Sequence, residues 1–140
     1  SYTNLVSSHL DWDQVHNYAK KETTMAEILK IDVNAMEWEE EYNQPAGRSL
    51  YKKELVKDPE NGTSITITKY PAGFINPNHT HHCSHGMYVL KGVLHTSEGD
   101  FGPCSFLWFP EGTAMWHGAT ANEDVEIVFV TNKKFDINYL

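Results

Sequence analysis

Eight histidines in 140 residues is a high count, and four of them, His79, His81, His82 and His85, fall within seven positions. A neutral imidazole carries a lone pair that binds zinc, iron, copper or nickel well. The cluster is therefore first of all a candidate metal site. His79 and His81 are two residues apart, and side chains on a strand alternate faces with a period of two. Both rings then point to one side, far enough apart to chelate one ion. His85 has the same parity and can rejoin that face after a small irregularity near Ser84. His117 must come from elsewhere, after the turn Pro110-Glu111-Gly112. The candidate ligands are His79, His81, His85 and His117, and the expected cofactor is one divalent transition metal. Fe(II) or zinc comes first; nickel, manganese or copper would also suit such donors. The competing reading, a set of exposed or core histidines, suits an isolated residue better than a cluster framed by glycines. No residue is singled out as catalytic.

The elements that must hold these rings read as strands. From Arg48 onward short β-rich runs recur at Ser49–Val56, Ser64–Tyr70, Met87–Thr96, Ser105–Phe109 and Val125–Thr131. Turn-forming groups separate them, among them Pro71-Ala72-Gly73, Lys91-Gly92, Glu98-Gly99-Asp100 and Pro110-Glu111-Gly112. Many short strands at regular spacing predict a sandwich or barrel. Residues 11–30 differ: Tyr18-Ala19-Lys20-Lys21-Glu22 and Met25-Ala26-Glu27-Ile28-Leu29 are helix-compatible but irregularly apolar. They predict a short helix or an extended arm. One domain over 1–140 is expected, with an arm at 1–45, a barrel core at 46–132 and a tail at 133–140.

The spacing itself resembles a known pattern. Gly73, then His79-Thr80-His81, then position 85, then Gly92 match the first cupin motif position for position. Pro110-Glu111-Gly112 with His117 resembles the second, with the histidine two residues late and Cys104 where a leading glycine belongs. The resemblance covers roughly residues 63–131. It implies an all-β fold, a small double-stranded β-helix or jelly roll of two antiparallel sheets, with the metal inside the barrel. Ligands would come from two adjacent strands and the strand after the second turn, with Asn76-Pro77-Asn78 as a loop at the barrel mouth. Glycines at 73, 92 and 112 suit turns that need positive φ.

In the first cupin motif a glutamate normally stands where this chain has His85, and no glutamate occurs between Glu60 and Glu98. Four neutral ligands leave a divalent centre at a net charge of about +2 rather than about +1. Such a centre favours the lower oxidation state of the metal and attracts an anionic or enolisable oxygen, a Lewis-acid role.

Small cupins of this type resemble iron dioxygenases that cleave β-diketones or hydroxylated aryl ketones, so a dioxygenase acting on a small carbonyl compound is the first expectation. A non-oxidative lyase, isomerase or cyclase comes second, by resemblance to polyketide cyclases and sugar-acid enzymes. A metal-holding sensor module, similar to the cupin domain of zinc-binding anti-sigma factors, comes third. The family resemblance also implies a homodimer.

Other residues carry weaker signals. His82 faces away from His81 and reads as a surface group, and His95 reads as structural. Cys83 shares the ligands' parity but reads as a small buried hydrophobe. Met115 and Trp116, beside His117, are candidates for the pocket wall. Nineteen acidic against eleven basic residues, a net charge of −8, with basic residues only in scattered pairs, argue against nucleic acid as a partner. The apolar runs are far shorter than the roughly 20 residues that span a bilayer, and Ser1–Val6 shows no signal-peptide pattern. Two cysteines make no disulfide framework. A cytoplasmic location is the default expectation.

Overall fold

The structure, a computed structural model, describes residues 27–140. The stretch Tyr18–Glu22, expected to be helical or extended, lies outside the described residues, and residues 27–32 form no regular element. A single 3₁₀ turn at Val33–Ala35 is capped by the Asp32 carboxylate, which accepts from the Asn34 amide at 3.1 Å.

Eleven strands follow: β1 Glu39–Asn43, β2 Arg48–Lys57, β3 Ser64–Tyr70, β4 Ile75–Thr80, β5 His85–Lys91, β6 Leu94–Thr96, β7 Gly99–Phe101, β8 Phe106–Phe109, β9 Met115–Ala119, β10 Val125–Thr131 and β11 Asn138–Tyr139. All pairings are antiparallel. They make a six-stranded sheet in the order β1-β2-β3-β10-β5-β8 and a five-stranded sheet in the order β11-β4-β9-β6-β7. This is the expected jelly roll. Among the described residues no helix is long and apolar enough to cross a membrane.

The core lies between the sheets because the strands alternate. On β10, Val125, Ile127, Phe129 and Thr131 are buried while the residues between them are half-exposed. With Phe74, Met87, Val89, Leu94, Phe109 and Met115, the three apolar residues Val125, Ile127 and Phe129 form one apolar cluster. On the outer face, the segment before β1 packs on β2 and β3. The Trp38 ring lies 4.5 Å from both Lys53 Nζ and Lys69 Nζ, and Lys53 donates to the Val33 carbonyl at 3.0 Å.

The structure departs from the sequence reading at the edges. β1 sits inside the segment expected to be an arm and pairs with β2, and β11 sits inside the expected tail and pairs with β4. Asn76-Pro77-Asn78 is not a loop but the middle of β4. Proline is tolerated there because the register against β9 shifts between Asn76 and His79, which takes Pro77 out of the ladder. Gly73, Gly92 and Gly112 do have positive φ. So does Cys104, at φ 70°, the conformation that suits the glycine it replaces in the second motif.

Candidate metal centre

His79 lies on β4, His81 one residue beyond its end, His85 opens β5 and His117 is the third residue of β9. Although β4 and β5 are consecutive in sequence, they belong to opposite sheets. The four rings therefore meet from both walls of the barrel, and all four are buried, none more than 2% exposed. Ring centres are 4.6 Å apart for His81 and His85, 4.8 Å for His79 and His81, 5.0 Å for His79 and His117, and 6.5 Å for His85 and His117.

Aromatic rings in contact commonly stand about 4.5–7 Å apart, so these spacings place the four rings in one cluster without fixing a coordination geometry. No three His, Cys, Asp or Glu side chains among the described residues stand at ligand spacing.

Two carbonyls set the tautomers. His79 Nδ1 donates to the Pro77 carbonyl at 2.6 Å, and His81 Nδ1 donates to the Asp136 carbonyl. A carbonyl can only accept, so each ring carries its proton on Nδ1 and presents the Nε2 lone pair inward. Neither Nε2 has a hydrogen-bond partner, nor does either nitrogen of His85 or His117. Buried polar groups are ordinarily paired, and each left unpaired costs on the order of 1–3 kcal/mol. Each of the four rings has an unpartnered nitrogen, which fits a metal ion: it would take one lone pair from each ring and so satisfy four of the six atoms.

Aromatic rings hold His85 in place. It stacks between Phe109 and Phe129, with ring centres 5.1 and 5.0 Å away. Burial, with His81 and His79 nearby, pushes its pKa down to about 3. Burial also lowers His117 well below 6.5, and lowers His79 and His81. These rings stay neutral in the fold at a pH where an unfolded histidine, ordinarily near 6.5, takes up a proton. In chelator-treated protein the stability they confer is complete above about pH 6.5 and is lost as pH falls below it, for His85 toward about 3. The expected slope is up to about 1.4 kcal/mol per pH unit for each fully neutral ring. Thermal unfolding at about pH 7 and about pH 5 measures it, and an unchanged midpoint would contradict the burial of the cluster. His82 opposes this weakly: Asp136 raises its pKa, but the ring is exposed and the effect is screened.

A cavity of about 90 Å³ reaches the cluster, bounded by His81 and His117 and walled by Thr68, Tyr70, Asn76, Phe129 and Phe135 among others. Its polar rim joins three strands, since Asn43 donates to the Tyr139 hydroxyl at 3.0 Å and that hydroxyl donates to Asn76 at 2.8 Å. Tyr70, tilted against His117 at 5.5 Å, is held protonated, its pKa raised by burial and then by Tyr139 and Glu41. Cys83 is buried, His82 is at the surface, and His95 bonds to Asp100 on β7, as a structural residue would. Trp116 is not a wall of this cavity; it packs edge-on against His95, and Met115 is core. Sequence reading missed Asp136, Pro77, Tyr70 and Phe129. Only the inward parity of Thr66, Thr68 and Tyr70 on β3 was available to point to the wall.

Residues 27–136 match the family model of the ChrR cupin-like domain. The chain belongs to this cupin family. No curated protein matches. Solved cupin structures are similar in fold. The polyketide cyclase RemF from Streptomyces resistomycificus superposes with a TM-score of 0.69 at 15% identity, covering 81% of this chain and 86% of that one. A candidate acetylacetone dioxygenase from Methylibium petroleiphilum gives 0.67 at 14% identity, covering 81% and 80%. The Rhodobacter sphaeroides complex of SigE with the anti-sigma ChrR gives 0.56 at 17% identity, covering 71% of this chain and 50% of that one. At these identities the likeness is one of fold.

Proposed function

We propose that this cupin is a metal-dependent enzyme in which His79, His81, His85 and His117 hold one divalent transition metal, and that its substrate is a small carbonyl or enolisable compound. The observation that carries the reading is the set of six unpartnered nitrogens on four converging, buried rings. Bound there, a divalent ion would supply Lewis-acid polarisation of a substrate oxygen and, as Fe(II), a site for dioxygen. The chain does the rest. The Pro77 and Asp136 carbonyls orient two rings, Phe109 and Phe129 clamp a third, and Tyr70 offers a protonated hydroxyl on the cavity wall.

Oxidative cleavage of a carbon–carbon bond is the first reading, and the likeness to the candidate acetylacetone dioxygenase supports it. The all-histidine set and the likeness to a polyketide cyclase favour a non-oxidative second reading. Tag-free protein purified anaerobically and loaded with Fe(II) should consume dioxygen when given small β-diketones. Turnover with zinc and without dioxygen would establish the second reading instead. Stoichiometric metal with no turnover would leave a metal-holding module, the role that the likeness to ChrR supports. A homodimer belongs to the same proposal: Tyr88, Leu90, Phe106 and Trp108 expose an apolar surface on the neighbouring strands β5 and β8. Light scattering measures it.

A further inference from the structure

Next to the cavity beside the histidines lies an outer groove of about 750 Å³ between β1, β2 and the turn after β2. Glu41, Lys52, Ser64, Thr66 and Phe135 line both spaces, so they form the boundary between them. Lys52 is the one cationic side chain among the residues lining the inner cavity, and Glu41 the one anionic. Lys52 Nζ meets Glu41 Oε2 at 2.9 Å, and of the two Lys52 lies deeper, 33% against 55% exposed. Its ammonium is 5.9 Å from the Phe135 ring centre, which is 5.1 Å from that of His81. The ammonium therefore stands no farther from the His81 ring centre than these two lengths together.

From this placement we infer that the substrate is an oxo acid, with its carbonyl oxygen toward the histidines and a carboxylate, several atoms away, on Lys52. The inference rests on the metal-dependent reading and adds the substrate class. Glu41 fills the place of that carboxylate in the free protein, and the entering acid displaces it outward to solvent. A charge-assisted hydrogen bond is stronger than a neutral one, and at the partly exposed Lys52, where water screens it, it discriminates modestly against an uncharged isostere. Carboxylates outnumber ammoniums along the outer groove, with Glu39, Glu41, Glu54, Asp58 and Glu60 against Lys52, Lys57 and Lys134. The groove therefore does not steer anions inward, and the preference for one has to come from Lys52 itself.

The test compares levulinate with its neutral methyl ester, by calorimetric or ligand-observed NMR titration of the full chain, zinc-loaded and chelator-treated. Levulinate should bind about two- to fivefold more tightly. Lys52→Met should bring the ratio to about one with the zinc content unchanged, and Glu41→Gln, which frees the ammonium, should raise levulinate affinity. Equal binding of the two probes, binding of neither, or a ratio indifferent to Lys52→Met in a folded variant overturns the inference. So does tighter binding of an aminoketone of the same length, the result expected if Glu41 is the anchor. Zinc stoichiometry is read separately. A chain that takes no zinc yet keeps the Lys52-dependent preference fails the metal reading alone.

Discussion

Replacing His117 with alanine is expected to lower zinc affinity by about 100-fold or more, since a structural zinc site is worth about 10–16 kcal/mol shared among four ligands. Activity should fall with it. His117 comes from β9, whereas the other three rings come from β4, β5 and the connection between them. The variant therefore removes the only donor supplied by the second motif and leaves the first intact. A second readout separates a ligand from a packing residue. Burial holds His117 well below its ordinary pKa in the metal-free chain, so its removal should flatten the acid-side loss of stability. Both effects are measurable, by competition with a zinc-sensitive dye and by thermal unfolding across pH. Unchanged zinc affinity together with an unchanged acid profile would remove His117 from the centre.

Gly118→Ala, one residue along, is expected to prevent folding or to destabilise the chain by about 4 kcal/mol or more, the range in which a named steric mechanism is required. Here the mechanism is backbone contact. A Cβ at Gly118 would stand 1.8 Å from the Phe74 carbonyl oxygen, 2.8 Å from its carbon and 2.9 Å from Ile75 Cα. These are main-chain atoms and cannot swing aside as a side chain can. Gly118 pairs with Ile75 and His117 with Asn76, while the Ala119 amide donates to that same Phe74 carbonyl at 2.8 Å. Relief of the clash requires β4 and β9 to separate, which breaks the register that sets His117 beside His79. Small domains have only about 5–15 kcal/mol in total, so a chelator-treated variant should show little cooperative unfolding in urea. A denaturation midpoint close to that of the unaltered chain would refute the close strand approach. His117 thus has a neighbour chosen for its lack of a side chain, for a reason independent of chemistry.

Much of this was open to sequence reading, and the limits have physical causes. Period-two alternation is local, so strands with long β-branched runs, β3 and β10, are read within a residue of their observed ends. β4 was missed because Asn76-Pro77-Asn78 has the composition of a turn, and only the bulge against β9 makes proline admissible there. β1, β7 and β11 are short or polar, and they exist because a neighbouring strand offers its edge. Trp116 was assigned to the pocket from its adjacency to His117. Alternation turns it outward, where it meets His95 instead.

Donor types, their parity along the chain and the glycines that close the turns are legible in the residues, because these depend on residue identity and on strand geometry alone. They are enough to expect a cupin barrel and to nominate His79, His81, His85 and His117. The crossing of distant strands brings the rings together from opposite sheets. It also lets the Pro77 and Asp136 carbonyls aim two of them, two phenylalanines grip His85, and Lys52 stand at the cavity wall. Each of these contacts depends on where distant strands cross, and a carbonyl that orients a ring leaves no mark in residue type. His85, with burial holding it neutral and both nitrogens unpaired, is where the two kinds of information join: its identity is read from the chain, and its consequence from the fold.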